Sequence, residues 1–527
     1  MSKIFNSVPG NKVKRNVFNL SHEKKLSMNM GDLVPIFCQE VVPGDTFKVS
    51  SEVMMRFAPM LAPVMHRINV YTHFFFVPNR LVWSGWEDFI TGNDDRILPY
   101  LPYGDALHTF LNSVCKTNGS LPDYLGVPNM SHVIDGQMKI NALPFRAYQL
   151  IFNEWYRDQD LWNEVDIYKD ADGKADPNQS FSLAKMQSRA WEKDYFTSAR
   201  PWPQKGDDVE LPLSGEADLV FYGNKTVNAQ TFRDQDGDPV ANYNDNIYTT
   251  AGGFLTDSGG INRHYLDVAS THKVDLSSAS AATIIELRRA FQLQKWLERN
   301  ARSGTRYTEV LRAHFGVKSS DSRLQRPEYL GGGRQPVSVS EVLQTAESNQ
   351  LGSLGDMAGH GVSVGRSNRF KRFFEEHGYV IGIMSVLPRT AYQQGISRFL
   401  TKFDKFDFFW PEFQHIGEQE IKVKELYVPE NLDNQDETFG YTPRYAEYKY
   451  VPSAVHGDFK DSLSYWHMGR IFSSQPSLNG TFIKANPTNR IFNVLDDEHQ
   501  KLWVHVYHNF KALRPMAVYG EPGLIDH

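Results

Sequence analysis

The sequence predicts a mainly β protein, a sandwich or barrel with long loop and helical insertions. Segments that alternate apolar and polar residues occur near both ends of the chain. The 27 Pro and 38 Gly separate them at a spacing typical of strands joined by turns and not of alternating β-α-β units. No internal repeat or long Gly/Ser linker divides the 527 residues. We therefore expect one discontinuous domain whose sheets are completed by distant segments.

Composition excludes several classes of protein. No apolar run approaches the roughly 18 residues of a membrane span, and the N-terminus, MSKIFNSVPGNKVKRN, lacks the apolar core of a secretory signal. Cys38 and Cys115 lie too far apart for a disulfide scaffold or zinc knuckle, and two free thiols suit assembly in a reducing cytoplasm. The net charge of −6 argues against a dedicated nucleic-acid binder. An aromatic content of 13% is typical of chains with large cores and protein interfaces.

Residues 1–27 are predicted to form a basic N-terminal arm with Glu23 as its single acid. Two interpretations stay open, an arm that lies on a phosphate backbone and a solvated terminal tail. The basic side chains are Lys3, Lys12, Lys14, Arg15, Lys24 and Lys25.

Three strands are predicted after the arm. Leu33–Val42 lies between turns rich in Gly, Pro and Asp. Thr46–Val53 alternates with its apolar residues inward, and Ile68–Val77 alternates with Phe74 and Phe76 on one face.

Two helix patterns are predicted next. A short one follows the third strand and ends at Gly92. A longer one runs from Pro144, at the first turn, to about Asp160. Its aromatic stripe is more often core than a ligand site, and comprises Phe145, Tyr148, Phe152 and Trp155.

Residues 207–272 are predicted to form an exposed acidic insertion rich in Gly, Asn and Thr. The stretch DQDGDP, with Asp234, Asp236 and Asp238, loosely resembles a calcium loop. It lacks the distal Glu, so a turn is the better interpretation.

Residues 281–315 are the clearest helical region, with a capping box at Thr283–Glu286 and a stop at Ser303-Gly304. Apolar residues on most sides predict that the first helix is well enclosed. Two interpretations stay open for its basic stripe, a phosphate or subunit contact, and ion pairs with acids that include Glu298 and Glu309. The stripe comprises Arg288, Lys295, Arg299 and Arg302.

The last third returns to β structure. Gly378–Leu387 is apolar on both faces, as in a central strand, and Leu502–Asn509 alternates. His505 and His508 then point to opposite faces, which does not suit a shared metal. Gly359–Gly361 is expected to be a flexible loop.

We find no motif of a hydrolase, metalloprotease or phosphate-binding loop and predict no catalytic residue, metal or cofactor. Paired glycosidase acids stay open, because their spacing is three-dimensional and cannot be read from the sequence.

Six stretches in order along the chain carry a family resemblance. They are GDLVPIFCQEVVPGDTF (Gly31–Phe47), HFFFVPNRLVWSGWEDFITG (His73–Gly92), LPFRAYQLIFNEWYRDQ (Leu143–Gln159), ELRRAFQLQKWLERNARSGTRYTEVLRAHFGV (Glu286–Val317), RPEYLGG (Arg326–Gly332) and YGEPGLIDH (Tyr519–His527). They resemble the major capsid proteins of Microviridae, small icosahedral single-stranded DNA bacteriophages, and the gokushovirus branch fits best. Residues 207–272 give no such match.

The resemblance implies an eight-stranded antiparallel viral jelly roll with long insertions, repeated as a T=1 icosahedral shell around a circular single-stranded DNA genome. The implied partners are other copies of the chain, the genome, a small basic internal DNA-binding protein, a pilot protein and a host surface receptor. A protrusion at the threefold axes is also implied, with residues 207–272 as the candidate here. No catalytic residue is implied.

The resemblance divides the chain into the arm 1–27, a first part 28–206, the insertion 207–272 and a last part 273–527. The arm and the Arg288 stripe would face DNA. Phe74, Phe76, Trp83 and Trp86 would anchor the first excursion onto the barrel. The alternative is a carbohydrate-binding or carbohydrate-active β protein, which the Trp and Tyr content would suit.

Overall fold

The structure is a computed structural model that describes residues 14–92, 96–133, 136–207, 209, 284–303, 306–316, 325–343, 357–494 and 499–519, and six short strands between 219 and 274. The strands are β1 (Asn16–Asn19), β2 (His22–Met28), β3 (Val34–Val41), β4 (Thr46–Phe57), β5 (Ile68–Pro78), β6 (Tyr100–Tyr103), β7 (Met138–Asn141), β8 (Leu219–Phe221), β9 (Phe232–Arg233), β10 (Tyr248–Thr249), β11 (Leu255–Thr256), β12 (Arg263–Leu266), β13 (His272–Val274), β14 (Glu328–Pro336), β15 (Ser338–Leu343), β16 (Met357–Phe373), β17 (Gly378–Pro388), β18 (Glu418–Lys422), β19 (Thr438–Pro443) and β20 (Leu502–Arg514).

The α-helices are α1 (Asn79–Val82), α2 (Trp86–Thr91), α3 (Thr109–Val114), α4 (Leu121–Leu125), α5 (Leu143–Ile151), α6 (Pro177–Ala184), α7 (Ile284–Ser303), α8 (Tyr307–Phe315), α9 (Val423–Leu426) and α10 (Gly480–Ile483). A π-helical turn, Phe152–Tyr156, continues α5. Short 3₁₀ turns occupy Arg398–Thr401, Lys405–Asp407, Pro411–Phe413, Leu432–Asn434, Ala446–Tyr448, Gly457–Lys460 and Ser464–Trp466. The chain divides into two compact units, residues 1–203 with 300–527, and residues 204–299.

Two antiparallel sheets form the frame of the first unit. One has the strand order β1-β20-β4-β16-β15, with β2 also paired to β20, and the other has the order β14-β5-β17-β3. The strand nearest the C-terminus, β20, pairs with β4 from Leu502 opposite Phe57 to Leu513 opposite Thr46. Strands that are distant in sequence therefore complete each sheet, and the prediction of a mainly β fold is confirmed.

A core cluster draws alternate side chains from both sheets. Phe47 and Val49 of β4 are buried, as the alternation predicts, and cluster with Phe74 and Phe76 of β5. Phe510 of β20 contacts Phe47 edge to face, with ring centroids 4.9 Å apart. The two sheets therefore share one aromatic interior, in which each ring removes a large apolar area from water.

The strand β5 is buried on its other face as well. Phe75 and Val77 belong to a second cluster with Trp83, Tyr148 of α5 and Ile381 of β17. Every residue of β17 is buried, which confirms the predicted central strand. The helical excursion after β5 thus covers one side of the second sheet. Both faces of this sheet are therefore buried along β17.

The predicted helices occur, with different boundaries. The first pattern is split into α1 and α2, and Gly92 ends α2 in a left-handed conformation, at φ 72°. The second helix ends at Tyr156 and not near Asp160, because Arg157 turns to an extended conformation. Trp155, predicted to join the buried stripe, is partly exposed.

Two further predictions are wrong. The first helix of the 281–315 region, α7, is not enclosed, since Ile285, Phe291 and Trp296 are exposed in the single chain. Gly359–Gly361 is not a loop but part of β16. A Cβ at Gly359 would lie 2.2 Å from the Ala62 carbonyl oxygen, so glycine is needed there for close backbone approach. The predicted cap at Thr283 and stop at Gly304 lie outside the described residues.

In the second unit the described strands are short. Their pairing gives the order β10-β11-β12-β9 and a separate pair, β13 with β8. The described part of this unit also holds most of α7, whose Leu297 carbonyl accepts a hydrogen bond from the Lys205 backbone N–H.

Candidate functional site

The predicted N-terminal arm is partly sheet. Residues of β1 and β2 pair with β20 over Asn16–Asn19 and His22–Met28. Lys14 and Arg15 precede these strands and are exposed, and the Arg15 guanidinium lies 5.3 Å from the Phe373 ring centroid. Lys12 lies outside the described residues. Among the described residues, sheet pairing of the arm therefore begins at Asn16.

Lys24 does not fit the prediction that it faces nucleic acid. Its Nζ donates to the carbonyl oxygens of Pro35, at 3.0 Å, and Tyr124, at 2.6 Å. Burial lowers the pKa of this lysine. Lys25, the next residue on β2, is exposed and lies 4.0 Å from Glu23, as the alternation of a strand requires.

The basic stripe on α7 divides into two kinds of residue. Arg288, Lys295 and Arg299 are exposed and remain available for a phosphate or subunit contact. Arg302, in contrast, donates from Nε to the Glu418 carboxylate at 2.5 Å. Arg306, after the stripe, pairs with Glu154 at 3.2 Å and Glu309 at 3.0 Å. Arg302 and Arg306 therefore form ion pairs, as the second interpretation expects. Their partners Glu418 and Glu154 were not identified from the spacing of charges in the sequence.

The four predicted anchors differ in their contacts. Phe74 and Phe76 lie in the core cluster of the two sheets. Trp83 is fully buried, and its indole N–H donates to Asp172 at 2.6 Å. Trp86 is partly buried, with its ring 5.5 Å from His377 and 6.0 Å from Phe89. Trp83 is therefore held within its own subunit.

The predicted protrusion residues Asp234, Asp236 and Asp238 lie outside the described residues.

The structure reveals a surface that the sequence analysis missed, residues 398–416, which we call the aromatic segment. It consists of three 3₁₀ turns joined by short extended stretches. Its exposed apolar side chains are Phe399, Leu400, Phe403, Phe406, Phe408, Phe409, Trp410 and Ile416. The signal was present in RFLTKFDKFDFFWPEF, which is dense in aromatics but has neither strand nor helix periodicity.

Ion pairs at the base of the aromatic segment fix its first turn. Arg398 donates to the carboxylate of Glu425 at 2.9 Å, and burial raises the pKa of that acid while the Arg398 charge opposes the shift. Lys402 lies 3.2 Å from Glu447 and 4.1 Å from the centroid of the Tyr448 ring. Both cations are thus neutralised inside the subunit and are not part of an open basic surface.

Backbone hydrogen bonds fix the tip of the aromatic segment. The Asp407 carboxylate accepts from the N–H groups of Phe403 and Asp404, each at 2.9 Å, and these bonds lower its pKa. The Trp410 indole donates to the Lys405 carbonyl at 2.8 Å. Ordered backbone with exposed rings is an arrangement suited to binding another surface, because little freedom remains to be lost.

A groove of about 500 Å³ lies beside the aromatic segment. Its apolar lining includes Phe399, Phe408, Tyr448, Tyr450 and Val451. Val451 is 90% exposed. Phe399 and Phe408 belong to both the groove and the segment, so the two are contiguous.

The described residues offer little for catalysis or metal binding. Among them, no group of three or more His, Cys, Asp or Glu is arranged to hold a metal ion. Cys38 and Cys115 are both free, and burial raises the pKa of the Cys115 thiol to about 11, so this thiol stays protonated at neutral pH. No helix in the described ranges has both the length and the apolar character to cross a membrane.

Comparison with known proteins covers nearly the whole chain. Residues 6–524 match the family described as capsid protein (F protein). The chain is 38% identical to capsid protein VP1 of Bdellovibrio phage phiMH2K, over 98% of this chain and 97% of the relative. It is 36% identical to capsid protein VP1 of Chlamydia phage 1, over 99% and 98%, and 30% identical to capsid protein VP1 of Spiroplasma virus 4, over 99% and 97%.

Proposed function

The chain belongs to the phage capsid protein (F protein) family, whose members are structural components of the virion and not enzymes, and from this we propose that it builds a T=1 icosahedral shell. The shell encloses a circular single-stranded DNA genome. The observation that carries the proposal is a family match that extends from residue 6 to residue 524. Family membership also decides against the alternative of a carbohydrate-active enzyme.

The frame of each subunit is an eight-stranded jelly roll. The strand orders β2-β20-β4-β16 and β14-β5-β17-β3 support this assignment. Each gives a four-stranded antiparallel sheet, and strands from both ends of the chain are neighbours, as in jelly rolls. The strand β1 continues the edge formed by β2, since both pair with β20, and β15 pairs with β16 at the other edge of the first sheet.

Sedimentation velocity combined with negative-stain electron microscopy of the purified protein tests this proposal. We expect closed shells of one size in equilibrium with small assembly units. A stable small oligomer that never forms shells, under any salt concentration or pH tried, would contradict the proposal.

Basic residues of the arm and of α7 contact the genome. These candidates are Lys12, Lys14, Arg15, Lys25, Arg288, Lys295 and Arg299. The net charge of −6 supports a division of labour in which a small basic internal protein neutralises much of the DNA and a separate pilot protein accompanies it.

A triple variant with Lys12→Ala, Lys14→Ala and Arg15→Ala tests the arm. The logarithm of the binding constant for single-stranded DNA falls linearly with the logarithm of the salt concentration, and each phosphate contact contributes about 0.7 to the magnitude of this slope. Removing three contacts should therefore lower the magnitude of the slope measured on empty shells by about 2. The matched control is Lys116→Ala, an exposed lysine outside the candidate set. An unchanged slope in the triple variant would remove the arm from the proposal.

The insertion 207–272 forms a surface protrusion that contacts a host receptor. Its acidic composition and its position inside the second compact unit support this role. Replacing 207–272 with a short Gly/Ser linker is expected to leave particle assembly intact and to abolish attachment to host cells. Complete loss of particles would count against a protrusion and for a role in the shell.

A further inference from the structure

The aromatic segment exposes more apolar surface than a lone subunit should. Six of its aromatic rings are between 45% and 89% exposed. With about 200 Å² for a phenylalanine side chain, they present about 700 Å² together. The largest apolar patch on an ordinary monomer is about 300–600 Å², whereas a specific interface buries about 800 Å² on each partner. The area alone is therefore that of an interface.

The composition of this surface is also that of an interface core. Aromatic side chains are enriched and charged side chains are depleted at the centre of protein interfaces. In the aromatic segment six rings are exposed, while Arg398 and Lys402 are paired with acids at the base. The remaining exposed charges have both signs, with three acids, Asp404, Asp407 and Glu412, against Lys405, which does not favour a polyanion such as DNA as the occupant.

We propose that the aromatic segment and its groove are a contact between copies of this chain, in which the segment of one copy covers the groove of the next. This inference rests on the proposed capsid function. A chain that closes a shell needs apolar contacts of this size at every copy, and a head-to-tail contact between segment and groove repeats around a symmetry axis. Since the segment is already ordered by Asp407 and Trp410, association costs little conformational freedom.

The double variant Phe399→Ser with Phe403→Ser tests the proposal. These rings are 70% and 89% exposed, so the isolated subunit should fold normally. We expect the protein concentration needed for shell formation to rise at least about tenfold. The control, Phe399→Leu with Phe403→Leu, keeps most of the apolar area and should assemble at a concentration near that of the wild type.

Assembly of the serine variant at the wild-type concentration would overturn the contact. Failure of the wild type to form shells would instead reject the capsid proposal, so the two failures are distinguishable.

A second variant keeps the test valid if the double serine protein misfolds. Phe403→Cys places an accessible thiol at the tip of the segment in an otherwise intact surface. Maleimide should label it in dissociated subunits and at least about tenfold more slowly in assembled particles. Equal labelling rates in the two states would overturn the proposal.

Discussion

Aromatic side chains serve opposite purposes in the sheet core and in the aromatic segment. In the core, Phe37, Phe47 and Phe510 are fully buried, and the ring centroid of Phe510 lies 4.9 Å from that of Phe47 and 5.4 Å from that of Phe37. In the segment, Phe399 and Phe403 are exposed on a backbone that is held by hydrogen bonds to the Asp407 carboxylate. The difference lies in periodicity, since strand alternation turns rings inward whereas consecutive 3₁₀ turns present them outward. Buried rings stabilise the subunit, and exposed rings are available to join subunits.

The largest effect on stability is expected from the core. Phe510→Ala should lower the free energy of unfolding of the dissociated subunit by about 3–5 kcal/mol, because it leaves a cavity among packed rings. Tyr507, on the same strand but exposed, is the control, and Tyr507→Ala should cost less than about 1 kcal/mol. Equal losses of unfolding free energy in urea for the two variants would contradict the buried position of Phe510 and the exposed position of Tyr507.

Acid should weaken the sheet core through His508. His508 is fully buried, its Nδ1 accepts from the Ser51 hydroxyl at 2.7 Å, and its Nε2 donates to the Ile36 carbonyl at 3.1 Å. Burial, together with the nearby His22 and Lys24, lowers its pKa from 6.5 to about 4. Because the unfolded chain then binds the proton more tightly, stability falls as the pH drops from about 6.5 to about 4, by on the order of 2–3 kcal/mol.

Unfolding measured across this pH range checks the assignment to His508. In His508→Gln this component of the pH dependence should disappear. His505→Gln alters the partly exposed histidine three residues earlier on β20 and should retain this component. Identical pH profiles for the two variants would refute the assignment.

The Trp83 anchor should have an intermediate effect. Trp83→Phe keeps most of the ring but removes the N–H that Asp172 accepts, so we expect a loss of about 1–3 kcal/mol. Trp86→Phe, at a partly buried ring, should cost less than about 1 kcal/mol. Thermal unfolding of the two variants compares them directly, and a larger loss at Trp86 would contradict the anchoring role given to Trp83.

The smallest effect on subunit stability is expected in the aromatic segment. Phe403→Ser should change the free energy of unfolding of the isolated subunit by less than about 0.5 kcal/mol, since its ring is 89% exposed. A loss above about 2 kcal/mol in urea unfolding would show that this ring stabilises the subunit as the core rings do, and would contradict the difference between the two regions.

The sequence predicted what depends on local periodicity. Alternation identified the strands β4, β5 and β20, and two-sided apolarity identified β17. It did not predict that Lys24 would donate to the Tyr124 carbonyl oxygen or that Arg302 would pair with Glu418, because these partners are brought together only by the fold. The exposure of Phe399 and Phe403 was missed for the same reason, since an aromatic residue without periodicity does not reveal which side faces water.

The most direct test of the account is an electron cryo-microscopy reconstruction of particles assembled from the purified protein. We predict a closed icosahedral shell with one copy per asymmetric unit, in which the aromatic segment is buried against the groove of a neighbouring copy. A closed shell in which residues 398–416 face solvent would contradict the assignment of the contact, and the absence of any closed shell would contradict the proposed function itself.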